Sequence, residues 1–398
     1  MTMPMQVQYS KRDAILIILS GSIAFFAVGL YMPLLPTLAT LLNAPMWVVT
    51  AVLMALPSIP TIILMIPGAI LADITGRRKE IMIATGVAGV FINLAHALCR
   101  TWQELVVVRL IAGIPGAFMG VGPALLAFVT PPEKRGTYMA LSAGLGAIAS
   151  AVAVAISGTL AVRLGSIASV IYLAAAVSVI GPLLILPVRA PRIKLPTRFS
   201  RKEAAEVFGN KVILAIALSM VAYLLGWQMV YSAFPVVAQF QLGMPIEVFT
   251  LVFSVVSFML GIGTLIWGPI IDRVGARRSL IVGLGLSAVA TVAMWASFLS
   301  IPLPLLTWVF TALYYLSTFG GVVGSPATMT IASRSIRPEL MTMGITLMNI
   351  AIFIPAAVSG FLAGGVMASL GTTAMVLISA VLQIVGVIGV ALSRHVRI

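Results

Sequence analysis

Long apolar runs alternate with short polar connections along all 398 residues. A helix needs about 20 apolar residues to cross the hydrocarbon core of a bilayer. Runs of that length fall at 14–42, 47–71, 80–99, 103–129, 137–162 and 167–188, then at 212–240, 247–271, 279–299, 303–332, 340–366 and 372–393. The runs lack the period-2 alternation of barrel strands. The pattern predicts an all-α integral membrane protein with 12 transmembrane helices in two sets of six. The first run follows Lys11 and Arg12 with no small-residue cleavage pattern behind it, so it is expected to stay as a span.

Composition agrees with the pattern. Charged residues make up 9% of the chain and hydrophobic residues 61%, against about 25% charged in ordinary globular domains. The single cysteine, Cys99, excludes an intrachain disulfide and has no metal-ligand spacing around it. No metal or cofactor is expected.

The net charge of +14 does not point to nucleic acid, because the basic residues sit in short clusters between apolar runs. All Lys and Arg except Arg100, Arg109 and Arg163 fall at the N-terminus, the even-to-odd connections or the C-terminus. That asymmetry predicts cytoplasmic termini in the cell membrane. Trp47, Trp102, Trp295 and Trp308 then mark the outer span ends. The expected division is an N-terminal bundle over 1–188, a basic cytoplasmic linker over 189–211 with a short amphipathic helix around Arg201–Phe208, and a C-terminal bundle over 212–398.

One polar connection returns. "ILADITGRRKEI" (70–81) carries Asp73, Gly76, Arg77 and Arg78, and "GPIIDRVGARRSL" (268–280) carries Asp272, Arg273, Gly275 and Arg277. Both follow the second span of a set of six, about half a chain apart, which indicates a duplicated unit. These residues resemble the signature of the major facilitator superfamily, G-x-L-a-D-r-x-G-r-r, with Ala69 and Ile74 departing from it in the first copy and Ala276 in the second. "LVVVRLIAGIPGAFMG" in span four resembles a second family motif through Leu105, Arg109 and Gly113. "GLYMPLLP" at the end of span one resembles the P-x-x-P pattern of drug-transporting members. The antiporter pattern G-P-x-x-G-G is missing from span five. The glycine-rich run Pro355–Gly365 reads as a break in span eleven.

The resemblance implies two six-helix bundles related by pseudo-twofold symmetry around a central cavity, and an alternating-access cycle. It assigns gating roles to Asp73, Gly76, Arg77 and Arg78 and to Asp272, Arg273, Gly275 and Arg277. Gly113, Gly116 and Gly120 follow Arg109 at helical spacing, a stripe that lets a neighbouring helix come close. A guanidinium as deep as that of Arg109 is costly unless it is paired or hydrated.

All ten acids lie in a terminus, a connection or a span end, so proton coupling is left open. His96, one turn after Asn93 in span three, is a side chain that could titrate. Candidate substrate residues are Tyr31, Arg109, Gln228, Tyr231, Tyr314 and Asn349, accompanied by Ser232, Tyr315 and Thr318. The expected function is secondary transport of a small amphipathic or hydrophobic, drug-like solute by a monomer in the lipid bilayer, in the efflux direction. The alternative is a carrier of a small organic anion that uses Arg109 as counter-charge. A membrane enzyme would need paired acids or a nucleophile with a base at membrane depth, and the sequence offers neither. It has no phosphate-binding loop of the ATPase type either.

Overall fold

The computed structural model of the chain describes residues 9–189, 192, 209–335 and 341–393. Among these residues eleven helices are long and apolar enough to cross a membrane. The last of them, Ile350–Leu392, is 43 residues long. At 1.5 Å per residue that is about 65 Å, roughly twice the hydrocarbon thickness. It is interrupted by Gly371, whose φ of 85° breaks the helical backbone. The run Pro355–Gly365 is continuous helix, so the interruption falls at Gly371 and not at the glycine-rich stretch.

The residues cluster into two compact units. The first comprises the described residues of Met1–Leu34 and Ile59–Arg198; the second comprises those of Leu35–Ser58 and Phe199–Ile398. The helix expected over Arg201–Phe208 lies outside the described residues.

The first unit contains α1 (Lys11–Tyr31) and, beyond two short helices α2 (Leu35–Leu41) and α3 (Met46–Ala51) that cluster with the second unit, most of α4 (Ala55–Thr75). It continues through α5 (Arg78–Leu98), α6 (Trp102–Gly116), α7 (Val121–Val129), α8 (Arg135–Arg163), α9 (Ile167–Ser178) and α10 (Ile180–Ile185). Local chemistry sets the helix starts. The Ser10 hydroxyl accepts from the Asp13 N–H at 3.2 Å. Thr101 and Glu104 form a reciprocal capping box that starts α6 and fixes the register of Arg109. The core of the unit packs Ala14, Ile17 and Ile18 of α1 against Leu125, Leu126 and Val129 of α7 and Ile185 of α10.

The second unit contains α11 (Lys211–Val236), α12 (Ile246–Val274), α13 (Ala276–Ser300), α14 (Leu303–Gly321), α15 (Gly324–Ser335) and α16 (Met341–Leu392). Its helices approach closely through glycines. A Cβ on Gly320 would stand 2.4 Å from the Gly283 carbonyl, and one on Gly226 would stand 2.3 Å from the Ser379 carbonyl. A fully buried polar network crosses this seam. The Tyr223 phenol donates to Ser287 Oγ at 2.8 Å, Ser287 meets Ser317 at 2.9 Å, and the Ser287 hydroxyl donates to Gln383 Oε1 at 3.1 Å. Residues 35–58 join the unit through α16. The Thr50 hydroxyl donates to the Gly360 carbonyl at 2.6 Å, Trp47 stacks on Phe361, and a Cβ on Gly364 would reach Thr50 Oγ1 at 2.4 Å.

Outward positions of both units carry apolar side chains. Phe25, Phe91, Leu218, Leu265 and Val289 are all exposed, Leu265 by 70%. Apolar surface on this scale needs lipid as its solvent.

Candidate functional site

In the first unit three expected residues come together. Arg109 on α6 is 6% exposed, and its charge acts electrostatically on both Tyr31 at the end of α1 and His96 on α5. The Tyr31 and His96 rings lie 5.3 Å apart, tilted by 38°. His96 Nδ1 lies 2.8 Å from the Ile92 carbonyl, which can only accept, so Nδ1 carries a hydrogen. Its Nε2 is buried and has no partner. Asn93, one turn earlier, donates to Ser178 Oγ at 3.4 Å, a contact between α5 and α9. The glycine stripe after Arg109 serves packing in part. The Thr61 hydroxyl donates to the Gly113 carbonyl at 2.8 Å and a Cβ on Gly116 would crowd the same hydroxyl, whereas Gly120 faces open space.

In the second unit Gln228, Tyr231 and Ser232 occupy one stripe of α11, and Tyr314 and Thr318 one stripe of α14. Aromatic contacts knit the two helices. Phe234 stacks on Tyr314 at 4.1 Å, and Tyr231 packs on Trp227 at 5.5 Å and on Phe253 at 5.4 Å. Tyr315 turns instead toward α12, donating to the Val252 carbonyl at 2.9 Å. Gln228 Nε2 donates to the Ile352 carbonyl at 3.4 Å. Four polar atoms of these stripes, Gln228 Oε1, Ser232 Oγ, Tyr314 Oη and Thr318 Oγ1, are buried without a partner. Asn349 lies on α16, and its side chain is outside the described residues.

A cavity of about 300 Å³ lies within the same unit, and none of the stripe residues is in its lining. Met220, Tyr223 and Trp227 of α11, Leu260 and Thr264 of α12, Gly321 at the end of α14 and Ile352 of α16 line it. Sequence reasoning missed Tyr223, Trp227, Thr264 and Gly321. The available signal was that Trp227 is one of the two tryptophans away from the expected outer belt.

The two duplicated connections can be compared directly. Gly76 and Gly275 both have positive φ, 63° and 94°, a conformation that costs a Cβ-bearing residue about 1–2 kcal/mol. Asp73 pairs with Arg78 of its own connection, and the Arg78 guanidinium lies 4.9 Å from the centroid of the Phe128 ring. Arg77 is exposed. In the second copy Asp272 and Arg273 are exposed, while Arg277 donates to the Ala391 carbonyl at 2.6 Å. Among the described residues no group of three or more His, Cys, Asp or Glu could hold a metal ion.

The Major Facilitator Superfamily profile matches residues 17–244 and again residues 216–397. No curated protein matches the chain. Solved structures do. A point mutant of the nucleoside transporter NupG superposes with a TM-score of 0.82 at 14% identity, covering 96% of this chain and 100% of that one. A bacterial homologue of the human lysosomal transporter Spinster, in an inward-facing and unoccupied conformation, gives 0.72 at 15% identity, covering 96% of this chain and 95% of its own. Likeness at such identity establishes the fold alone. With its multi-span all-α architecture, its duplicated connection and a family profile that covers nearly the whole chain in two overlapping stretches, this chain belongs to the Major Facilitator Superfamily and is a membrane secondary transporter, not an enzyme.

Proposed function

We propose that the solute is a small, uncharged, amphipathic organic molecule whose polar groups are met by the stripes of α11 and α14. The observation that carries this reading is the set of unpartnered buried atoms on Gln228, Ser232, Tyr314 and Thr318, framed by Phe234, Tyr231 and Phe253. Buried polar groups are nearly always hydrogen-bonded, and leaving one unpaired costs about 1–3 kcal/mol. Polar groups of a passing solute, or the water it displaces, relieve that cost. None of the four side chains carries a charge. A solute with a full charge would lose hydration there without gaining a counter-ion.

The reading has a topology. Twelve spans in two six-helix halves follow if α16 crosses twice about Gly371. Cytoplasmic termini follow from the basic connections. The resemblance to drug-efflux members supports export, by a monomer. A second reading, an organic anion held by Arg109, draws on the burial of Arg109 beside Tyr31 and His96.

Proteoliposome exchange separates the two. Purified protein is reconstituted, and neutral, anionic and cationic members of one aromatic series are offered with and without an imposed pH gradient. The neutral member should exchange, with Tyr314→Phe and Ser232→Ala slowing it by tenfold or more. Exchange of the anion alone, lost in Arg109→Ala, would instead establish the second reading. Movement that follows the pH gradient would show proton coupling.

A further inference from the structure

Two tryptophans, Trp227 and Trp267, stand away from the expected outer belt, and their indole nitrogens differ. Trp267 Nε1 donates to the Phe319 carbonyl at 2.9 Å. Trp227 Nε1 is buried and has no partner. An indole N–H is a donor only, so protein, water or ligand must supply its acceptor. Trp227 lines the 300 Å³ cavity, and the indole plane is fixed from one side by stacking on Tyr231 at 25°.

Of the other polar side chains of this wall, those of Tyr223 and Thr264 are committed, and the exposed Ser325 is also in the lining. The Tyr223 phenol donates to Ser287 Oγ, and Ser287 is tied to Ser317 and Gln383. The Thr264 hydroxyl donates to the Gly261 carbonyl at 2.7 Å. Gly321 keeps the corner open. A Cβ there would stand 2.7 Å from Tyr223 Oη and 3.4 Å from Trp227 Nε1. Met220, Leu260 and Ile352 supply apolar walls, and among the described residues no Asp, Glu, Lys, Arg or His lines the cavity.

We infer that this cavity is a binding site for an uncharged, flat, largely apolar molecule with one hydrogen-bond acceptor, which receives the Trp227 indole N–H. Gly321 is the residue that leaves room for that acceptor. The inference rests on the proposed neutral solute and names the group by which it is selected. A cation or anion is excluded because burial would strip its hydration with no opposite charge to meet it. A wholly apolar molecule of the same shape fills the walls but leaves the indole N–H unpaired, and so binds more weakly.

Quinoline and naphthalene differ by one ring nitrogen and have nearly the same shape, and quinoline is uncharged at pH 7.5. Their dissociation constants are measured for the full chain in nanodiscs, with empty nanodiscs as the partitioning control. Quinoline should bind about tenfold more tightly than naphthalene, the worth of one buried hydrogen bond. Trp227→Phe should erase the difference to within twofold while leaving naphthalene affinity nearly unchanged. Gly321→Ala, which keeps the indole, should weaken both probes. Melting temperatures identify a variant that has failed to fold, and Gly321→Ala then carries the test. Equal affinity of the two probes in the wild type, a preference that survives Trp227→Phe, or unchanged affinities in Gly321→Ala would each overturn the inference. Binding here needs no transport. Discrimination without vesicle exchange would leave this site standing and sink the transport reading for this solute class.

Discussion

The Lys79 ammonium donates to the Leu186 carbonyl at 2.7 Å, and in the second half of the chain Arg277 donates to the Ala391 carbonyl at 2.6 Å. In each case the basic residue lies just past the positive-φ glycine of the duplicated connection, and the acceptor lies near the end of the last span of that half. The two contacts are alike in kind but not in position, since Arg277 occupies the place of Arg78, which pairs with Asp73 in the first copy. A cation at a helix C-terminus meets carbonyls that have no intrahelical donor and a favourable end of the helix dipole. Lys79→Ala and Arg277→Ala should each lower stability by about 1 kcal/mol or less, since both groups are partly solvated. Arg277→Lys should recover most of the loss. Thermal unfolding in detergent checks both.

Backbone strain gives a sharper version of the same test. Gly275 at φ 94° and Gly76 at φ 63° adopt a conformation that a Cβ disfavours. Gly275→Ala should destabilise by about 1–2 kcal/mol, and Gly76→Asn less than Gly76→Ala because asparagine tolerates the left-handed region. Equal melting temperatures for Gly76→Asn and Gly76→Ala would show that the turn relaxes freely.

Cys99 follows α5 and its thiol donates to the Ala95 carbonyl at 3.2 Å. Partial burial, and then the nearby Glu104 carboxylate, push the thiol up to about 11. The thiolate is the reactive form and is scarce below that value. Labelling with a maleimide should therefore be slow at pH 7 and accelerate about tenfold per pH unit up to about pH 11. Glu104→Gln removes one cause of the upward shift and should speed labelling at a fixed pH. Cys99→Ser should leave solute exchange unchanged.

Residues 35–58 provide a conformational test. Thr50 lies against Gly360 and Gly364 with no room for a side chain, since a Cβ on Gly360 would stand 2.7 Å from the Ala51 Cα. Gly360→Val should displace the segment, because backbone rather than a flexible side chain is in the way. Protease accessibility near Asn43, which has a positive φ of 54°, should rise in that variant and stay at the wild-type level in Gly365→Val, where nothing lies within 4 Å.

Much of this was legible in the chain. The spans could be read because bilayer thickness imposes a length, and the duplicated connection because glycine and charge are conspicuous among apolar residues. Gln228, Tyr231 and Ser232 could be placed on one face by helical spacing, and so could Tyr314 and Thr318. What could not be read was which faces meet. Thr50 touches Gly360 across most of the sequence, and Asp73 takes Arg78 rather than a distant partner. The cavity was hidden for the same reason. Its wall is drawn from α11, α12, α14 and α16, and its defining atom is the nitrogen of a tryptophan that counts as apolar in any pattern. The run Pro355–Gly365 looked like a break, yet Gly360 and Gly364 serve close contact, and the helix gives way at Gly371.

The central claim is that a neutral solute is met by the unpartnered polar atoms of α11 and α14. The most direct measurement is exchange of a radiolabelled neutral aromatic solute in proteoliposomes, wild type against the Ser232→Ala, Tyr314→Phe double variant, with the anionic analogue in parallel. The expected result is exchange of the neutral compound by the wild type, at least a tenfold loss in the double variant, and no exchange of the anion by either. Undiminished exchange by the double variant, or exchange of the anion alone, would contradict it.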